Sequence, residues 1–181
     1  MTEPNSYFWP TSRHFLKKAS QAVFISLLSL EIFSLQAQAA VKELSGYARV
    51  IDGDTLELNG QRIRLHGIDA PEARQFCLFE GSDYPCGTMA TAWVVRMTLR
   101  KNLRCKGSQT DRYGRLIAIC FLDEEDLNGK IVRAGWALAY TRYSRDYVEA
   151  QKAAARSQSG IWAGEFMEPW GWRKHRRTKK K

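Results

Sequence analysis

The chain reads as an α+β domain in which short strands come first and helices follow, and three observations predict this. Apolar and polar residues alternate over 55–68 and break at Asn59-Gly60, the dipeptide that most favours a two-residue hairpin turn. Met89, Trp93, Val94 and Met97 form an apolar stripe at helical spacing. From 126 onward the spacing stays helical through two further segments.

The first 39 residues are set aside before the fold is built. "RHFLKK" (13–18) is basic, "AVFISLLSLEIFSL" (22–35) is mostly apolar, and Ala37-Gln38-Ala39 fits a cleavage site before Ala40. The apolar run is shorter than the ~20 residues of a membrane span, and Glu31 interrupts it. This predicts a signal peptide over 1–39, a periplasmic or secreted product, and no stable membrane association after cleavage.

A domain over 40–172 follows, long enough to bury a real core. "LSGYARVID" (44–52) is the first strand, and the two arms around Asn59-Gly60 are the second and third. Pro71 turns the chain away from pairing, and 73–87 is a loop punctuated by Cys and Gly. A helix over 88–101 precedes two strands, "NLRCKG" and "LIAICFLD", which flank the turn "TDRYGR". Helices are expected over 126–140 and 144–162, despite Gly129 and Gly135, with Gly160 stopping the second. Five strands with a helix between the third and fourth, and two C-terminal helices, fit a Greek-key β-barrel of the OB type. Composition alone leaves other small α+β barrels open.

Charge is distributed unevenly. The formal net charge is +9, yet residues 173–181, "RKHRRTKKK", hold seven Lys or Arg and no acid. Residues 40–172 carry 18 basic and 17 acidic side chains, so the basicity belongs to the tail. Such a segment is expected to be disordered, and either to touch a polyanion or merely to aid solubility. The four cysteines, Cys77, Cys86, Cys105 and Cys120, follow the signal segment and read as two disulfides. Three connectivities are open, and pairing of neighbours in sequence is the simplest. Zinc would need closely spaced Cys pairs or nearby histidines, which the sequence lacks.

"VIDGDT", "RIRLHGIDAPE", "DRYGR" and "DLNGKIVRAGWALAY" occur in an order and at spacings that resemble the thermonuclease, or staphylococcal-nuclease-like, family. The resemblance spans residues 45 to about 165. It implies that Asp54 and Asp69 bind Ca²⁺ with the backbone carbonyl of Ala70, where the family's best-known member has threonine. Asp52 would stand behind the metal ligands, Arg64 and Arg115 would bind phosphate, and Glu72 would be the catalytic carboxylate. Arg112 and Tyr113 fall where the family contacts the nucleotide, and Tyr140 and Tyr143 near further such tyrosines. The implied activity is calcium-dependent endonucleolytic hydrolysis of DNA and RNA leaving 3′-phosphate ends, by a monomer with no obligate protein partner.

The residue types support this chemistry by themselves. Several carboxylates with a carbonyl and water suit Ca²⁺, guanidiniums grip phosphate oxygens as a fork, and a carboxylate near water orients or deprotonates it. Asp52-Gly53-Asp54 alone is an ordinary turn, Arg115 alone a surface residue, and His66 has no partner at a suggestive spacing. Joint occurrence carries the reading. The competing possibility is an inactive nuclease-like barrel that binds nucleic acid or a protein partner, but degenerate chains of that kind usually lose one or more of the acids or arginines, and all five are kept here.

One geometric conflict follows from the hairpin. A two-residue turn pairs 58 with 61 and 54 with 65. Asp54 then shares a face with Leu56, Leu58, Ile63 and Leu65, while Arg64 points away. Either Asp54 lies at the barrel mouth, or a bulge re-aims a strand.

Overall fold

The computed structural model describes residues 40–179, so the expected signal peptide and the last two tail lysines lie outside the described residues. The order is β1 (Lys42–Tyr47), β2 (Arg49–Asp52), β3 (Thr55–Leu58), β4 (Gln61–Leu65), β5 (Ile68–Asp69), β6 (Cys77–Phe79) and β7 (Ser82–Tyr84). Then come α1 (Cys86–Thr98), β8 (Asn102–Thr110), β9 (Leu116–Leu122), β10 (Glu125–Asp126), α2 (Leu127–Arg133) and β11 (Leu138–Ala139). The chain continues with α3 (Val148–Arg156), a 3-10 turn (Gly160–Ala163) and α4 (Pro169–Thr178).

The main sheet runs β1-β8-β9-β4-β3-β2, with β10 added to β9. Every pairing is antiparallel except β4 with β9. Only Ala48 separates β1 from β2, although these strands lie at opposite ends of that order. One bent segment therefore supplies both ends, and the sheet curls into the half-barrel of an OB-type fold.

Alternation decides which side is buried. In β9, Leu116, Ala118, Cys120 and Leu122 point into the core, and the residues between them do not. Leu56, Leu58, Ile63, Leu65 and Leu103 meet them there, while Val94 of α1 and Leu127, Ile131 and Val132 of α2 close the core. Burying such side chains is worth roughly 1.5–3 kcal/mol each, and this is the main favourable contribution to the fold.

Among the described residues, buried side-chain polar atoms are paired except the Trp162 Nε1. Asn128, fully buried, donates to the carbonyls of His66 (3.0 Å) and Ala118 (3.2 Å) and accepts from the Cys120 amide (3.2 Å). Asp126 caps α2 by accepting from the Gly129 amide, and its other oxygen accepts from the Tyr147 hydroxyl at 2.9 Å. The disulfides join Cys77 to Cys86 and Cys105 to Cys120. Cys105 and Cys120 are direct cross-strand partners in the β8–β9 ladder.

Four expectations need correction. The segment read as a helix over 126–140 stops at Arg133, because Gly135 takes φ +76° and lies where a Cβ would come within 2.0 Å of the Ser159 carbonyl oxygen. Beyond it, Leu138 and Ala139 pair with Asp69 and Ile68 as strands. The helix expected over 144–162 is confined to Val148–Arg156. The 73–87 loop holds the β6–β7 hairpin, fastened near its base by Cys77–Cys86. Finally, the basic tail expected to be disordered is helical through Thr178: Pro169 starts α4 in its first turn, where a missing amide costs nothing, so three helices follow the sheet instead of two.

Candidate active site

The site begins at the β2–β3 turn. Asp52 ends β2, and its Oδ1 accepts the Asp54 amide at 3.0 Å, which fixes the turn. A register shift lies between Val50 and Asp52, and Asp54 precedes the first residue of β3. Asp54 is therefore at the mouth of the barrel, which settles the conflict posed by the hairpin. Gly53 is needed there for space, since a Cβ would come within 2.6 Å of the Ala70 Cβ.

Thr55 lies opposite Arg64 in the β3–β4 ladder, so their side chains share a face. From that face Arg64 reaches the mouth. Its Nη1 is 2.5 Å from Asp54 Oδ1, and its Nη2 donates to Asp69 Oδ1 at 2.9 Å. Asp54 Oδ2 accepts the Ala70 amide at 2.8 Å. Asp69 is fully buried, held by the pairing of β5 with β11.

Arg115 stands just before β9, the strand whose parallel pairing with β4 places Ile117 beside Arg64. Asp111 grips it in a fork, with Nε and Nη2 at 2.7 and 2.6 Å from Oδ2. Its Nη1 lies 3.4 Å from Thr55 Oγ1, which in turn lies 3.2 Å from Asp54 Oδ1. Arg112 and Tyr113 form the exposed tip of the same turn, and the Tyr113 ring lies under both the Arg112 and the Arg115 guanidinium.

Glu72 is reached through Gln75. That side chain is fully buried; its Oε1 accepts the Glu72 amide (3.2 Å) and its Nε2 donates to the Met167 carbonyl (2.6 Å). The Gln75 amide also donates to the Glu72 carbonyl at 2.7 Å. The carboxylate itself meets a residue that the sequence reading did not place here. Arg173 of α4 donates through Nη1 to Glu72 Oε1 (2.7 Å) and Asp69 Oδ1 (3.0 Å), and through Nη2 to Asp69 Oδ2 (2.7 Å).

Concentrated negative charge leaves a signature. Burial, followed by the charge of Asp54, pushes the Asp52 carboxyl up to about 6. Burial also raises Asp69, against the pull of the Arg173 and Arg64 guanidiniums. Arg64 loses hydration on burial, but the surrounding carboxylates outweigh that loss and hold it charged. Four carboxylates thus face two guanidiniums, Arg64 and Arg173.

A small polar hollow is lined by Asp52, Asp54, Ala70, Pro71 and Glu72. Its oxygen-only donors suit a hard divalent cation, and the excess of carboxylates would be balanced by one. Among the described residues no three His, Cys, Asp or Glu side chains already stand close enough to enclose an ion. Guanidiniums stand between the acids, and a carbonyl such as that of Ala70 would complete any ligand set.

The structure thus brings Asp52, Asp54, Arg64, Asp69, Ala70, Glu72 and Arg115 to one end of the barrel, with Arg112 and Tyr113 on its exposed margin. Tyr140 is nearby in chain terms, one residue past β11, but its ring stacks on Trp170 at 5.4 Å and meets Tyr143 edge-on at 5.0 Å. His66 contributes its backbone, and its ring lies 3.9 Å from Asp146. Sequence reasoning missed Gln75, Asp111 and Arg173. "EPWGW" before the basic run, with Pro in position to begin a helix, was the available signal for the last.

Known proteins are similar to this chain over most of its length. A family model described as Staphylococcal nuclease homologue matches residues 62–164. A succinoglycan biosynthesis protein, ExoI, of Rhizobium meliloti is 36% identical over 154 residues, covering 83% of this chain and 80% of that protein. An uncharacterized endonuclease of Escherichia coli O157:H7 is 36% identical over 137 residues (71% and 83%). A micrococcal nuclease of Shigella flexneri is 30% identical over 144 residues (70% and 78%).

Proposed function

We propose a reaction for this chain from one premise: it belongs to the staphylococcal nuclease homologue family. It is a nuclease, a hydrolase of phosphodiester bonds whose substrate is nucleic acid. The finer reading is a calcium-dependent endonuclease that cleaves DNA and RNA, leaves 3′-phosphate ends, and works outside the cytoplasm as a monomer.

The observation that carries this reading is the convergence of Asp54, Asp69 and Glu72 with Arg64 and Arg115 at one barrel end. Asp54, Asp69 and the Ala70 carbonyl would hold Ca²⁺, with Asp52 behind them fixing the turn. A bound divalent ion supplies charge neutralisation and polarisation of the phosphate.

The protein's own groups do the rest. Arg115, already aligned by Asp111, presents its remaining N–H donors to a phosphate oxygen, and Arg64 adds a second positive charge at the mouth. Glu72 holds a water by its carboxylate and takes its proton as the water oxygen bonds to phosphorus; the P–O5′ bond breaks, and the departing 5′-oxygen takes a proton from solvent. Arg112 and Tyr113 border the strand's path and contribute a cationic edge and a stacking face.

Action outside the cytoplasm is supported by two disulfides and by the basic-apolar-small order of residues 13–39. Among the described residues, no helix is long and apolar enough to cross a membrane. The test is hydrolysis of denatured DNA and of RNA with added Ca²⁺ and with excess chelator, followed by analysis of the product ends. Full hydrolysis in chelator, or 5′-phosphate products, would sink the proposal.

A further inference from the structure

Both oxygens of Asp69 are engaged by guanidiniums. Arg64 and Arg173 share Oδ1, and Arg173 takes Oδ2; the same guanidinium also covers Glu72 Oε1. A carboxylate held by one bidentate guanidinium and a second single bond is a weaker ligand for a cation until a guanidinium leaves. The single bond from Arg64 comes from the sheet itself. The fork of Arg173 comes from α4, at the far end of the chain.

The hold of α4 on the body is narrow. Pro169 is buried, Trp170 stacks on Tyr140 at 5.4 Å, and the Met167 carbonyl just before the helix accepts from Gln75. After Arg173, the side chains of Lys174 to Thr178 are exposed and make no hydrogen bond or ion pair with the body among the described residues. Arg176 lies over Trp172 of its own helix. The helix is thus fixed by one turn of apolar packing and one guanidinium.

We propose that Arg173 is a built-in counter-ion of the acidic site, that it competes with the divalent cation for Asp69 while pairing with Glu72, and that α4 is a cover that swings clear when the cation binds. This rests on the cation reading given above. Two positive partners in the same small space repel, and both draw on the Asp69 carboxylate, so the binding of one opposes the other. The exposed charges of Lys174, Arg176 and Arg177 give the released helix a new partner, the phosphates of an incoming strand. Substrate and cation then favour the same open state, and each strengthens the binding of the other.

Two measurements on the purified protein test this, with Ca²⁺ alone as the probe. Calorimetry of wild type and Arg173→Gln should show affinity at least about tenfold tighter in the variant, equivalent to about 1.4 kcal/mol. Hydrogen exchange of wild type should show the α4 amides protected in chelator and at least tenfold faster at saturating Ca²⁺. Asp69→Asn should loosen α4 even in chelator, because it removes the fork's main acceptor. Ca²⁺ bound with α4 protection intact would overturn the displacement, and equal or weaker affinity in Arg173→Gln would overturn the competition. If neither chain binds Ca²⁺, the cation reading itself falls and the competition with it.

Discussion

Replacing Gln75 by Met should cost stability and turnover together, for a reason that can be followed atom by atom. The side chain is fully buried and bridges two backbone groups, the Glu72 amide and the Met167 carbonyl. Met fills nearly the same volume, so packing is largely conserved. Both backbone groups lose their partner; both bonds are only part-buried, so water replaces some of each loss and each costs about 1 kcal/mol. The combined loss is about 2 kcal/mol. At ~2–4 °C per kcal/mol for a domain near this size, Tm should fall by about 6 °C. The same loss frees the Glu72 loop, so kcat on denatured DNA should drop about tenfold or more while KM moves little. Thermal unfolding by circular dichroism and steady-state hydrolysis at a temperature well below the variant's Tm give the two readouts. A lowered Tm with unchanged kcat would refute the positioning role, and an unchanged Tm would show that the bridge carries no energy.

Glu72→Gln and Arg115→Ala should each lower turnover by orders of magnitude while Tm changes by only a few degrees, since both side chains lie at the open end of the barrel; a kcat within twofold of wild type would refute the assigned role. Asp111 is held below the ordinary aspartate value of 3.8: burial raises it, but its hydrogen bonds from Arg115 and Tyr113 outweigh that. A depressed folded-state value means stability that is present above the unfolded value and lost as pH falls through the folded one. The Tm gap between wild type and Asp111→Asn should therefore be open at neutral pH and close below pH 3.8; a gap independent of pH would count against the ion pair. Mild reduction of Cys105–Cys120 should cost about 3 kcal/mol by chain entropy, read as a lower urea midpoint, and an unchanged midpoint would show the ladder holding β8 and β9 without it.

Local chemistry made the first half of the barrel legible. The Asn59-Gly60 turn and the alternation around it predict the pairing of Leu58 with Gln61 and of Thr55 with Arg64, both of which the structure shows. Disulfide pairing of neighbours follows the same hairpin logic at Cys105 and Cys120. Errors arose where a distant contact overrode a local preference. Residues 134–140 have helical spacing, but the close approach of Gly135 to Ser159 and the pairing of Leu138 with Asp69 decide otherwise. Seven positive charges over 173–181 describe a soluble tail when read as composition. They describe something else once Trp170 finds Tyr140 and Arg173 finds two carboxylates. Gln75 carried no signal at all, because a single amide in a polar loop is unremarkable until its neighbours in space are known.

The parallel pairing of β4 with β9 has a consequence for the order in which the molecule matures. No hairpin can make that contact, so α1 and β8 must be threaded before Arg64 and Arg115 come to the same end. Contacts so far apart in the chain form late, because the closure of the intervening segment comes before any gain from them. Asp69 waits longer still, since its strand partner is Leu138. A nascent chain growing from its N-terminus therefore contains no fragment with a working site, however much of the early hairpin has folded. The catalytic end of this chain is therefore assembled only when nearly the whole domain has left the ribosome.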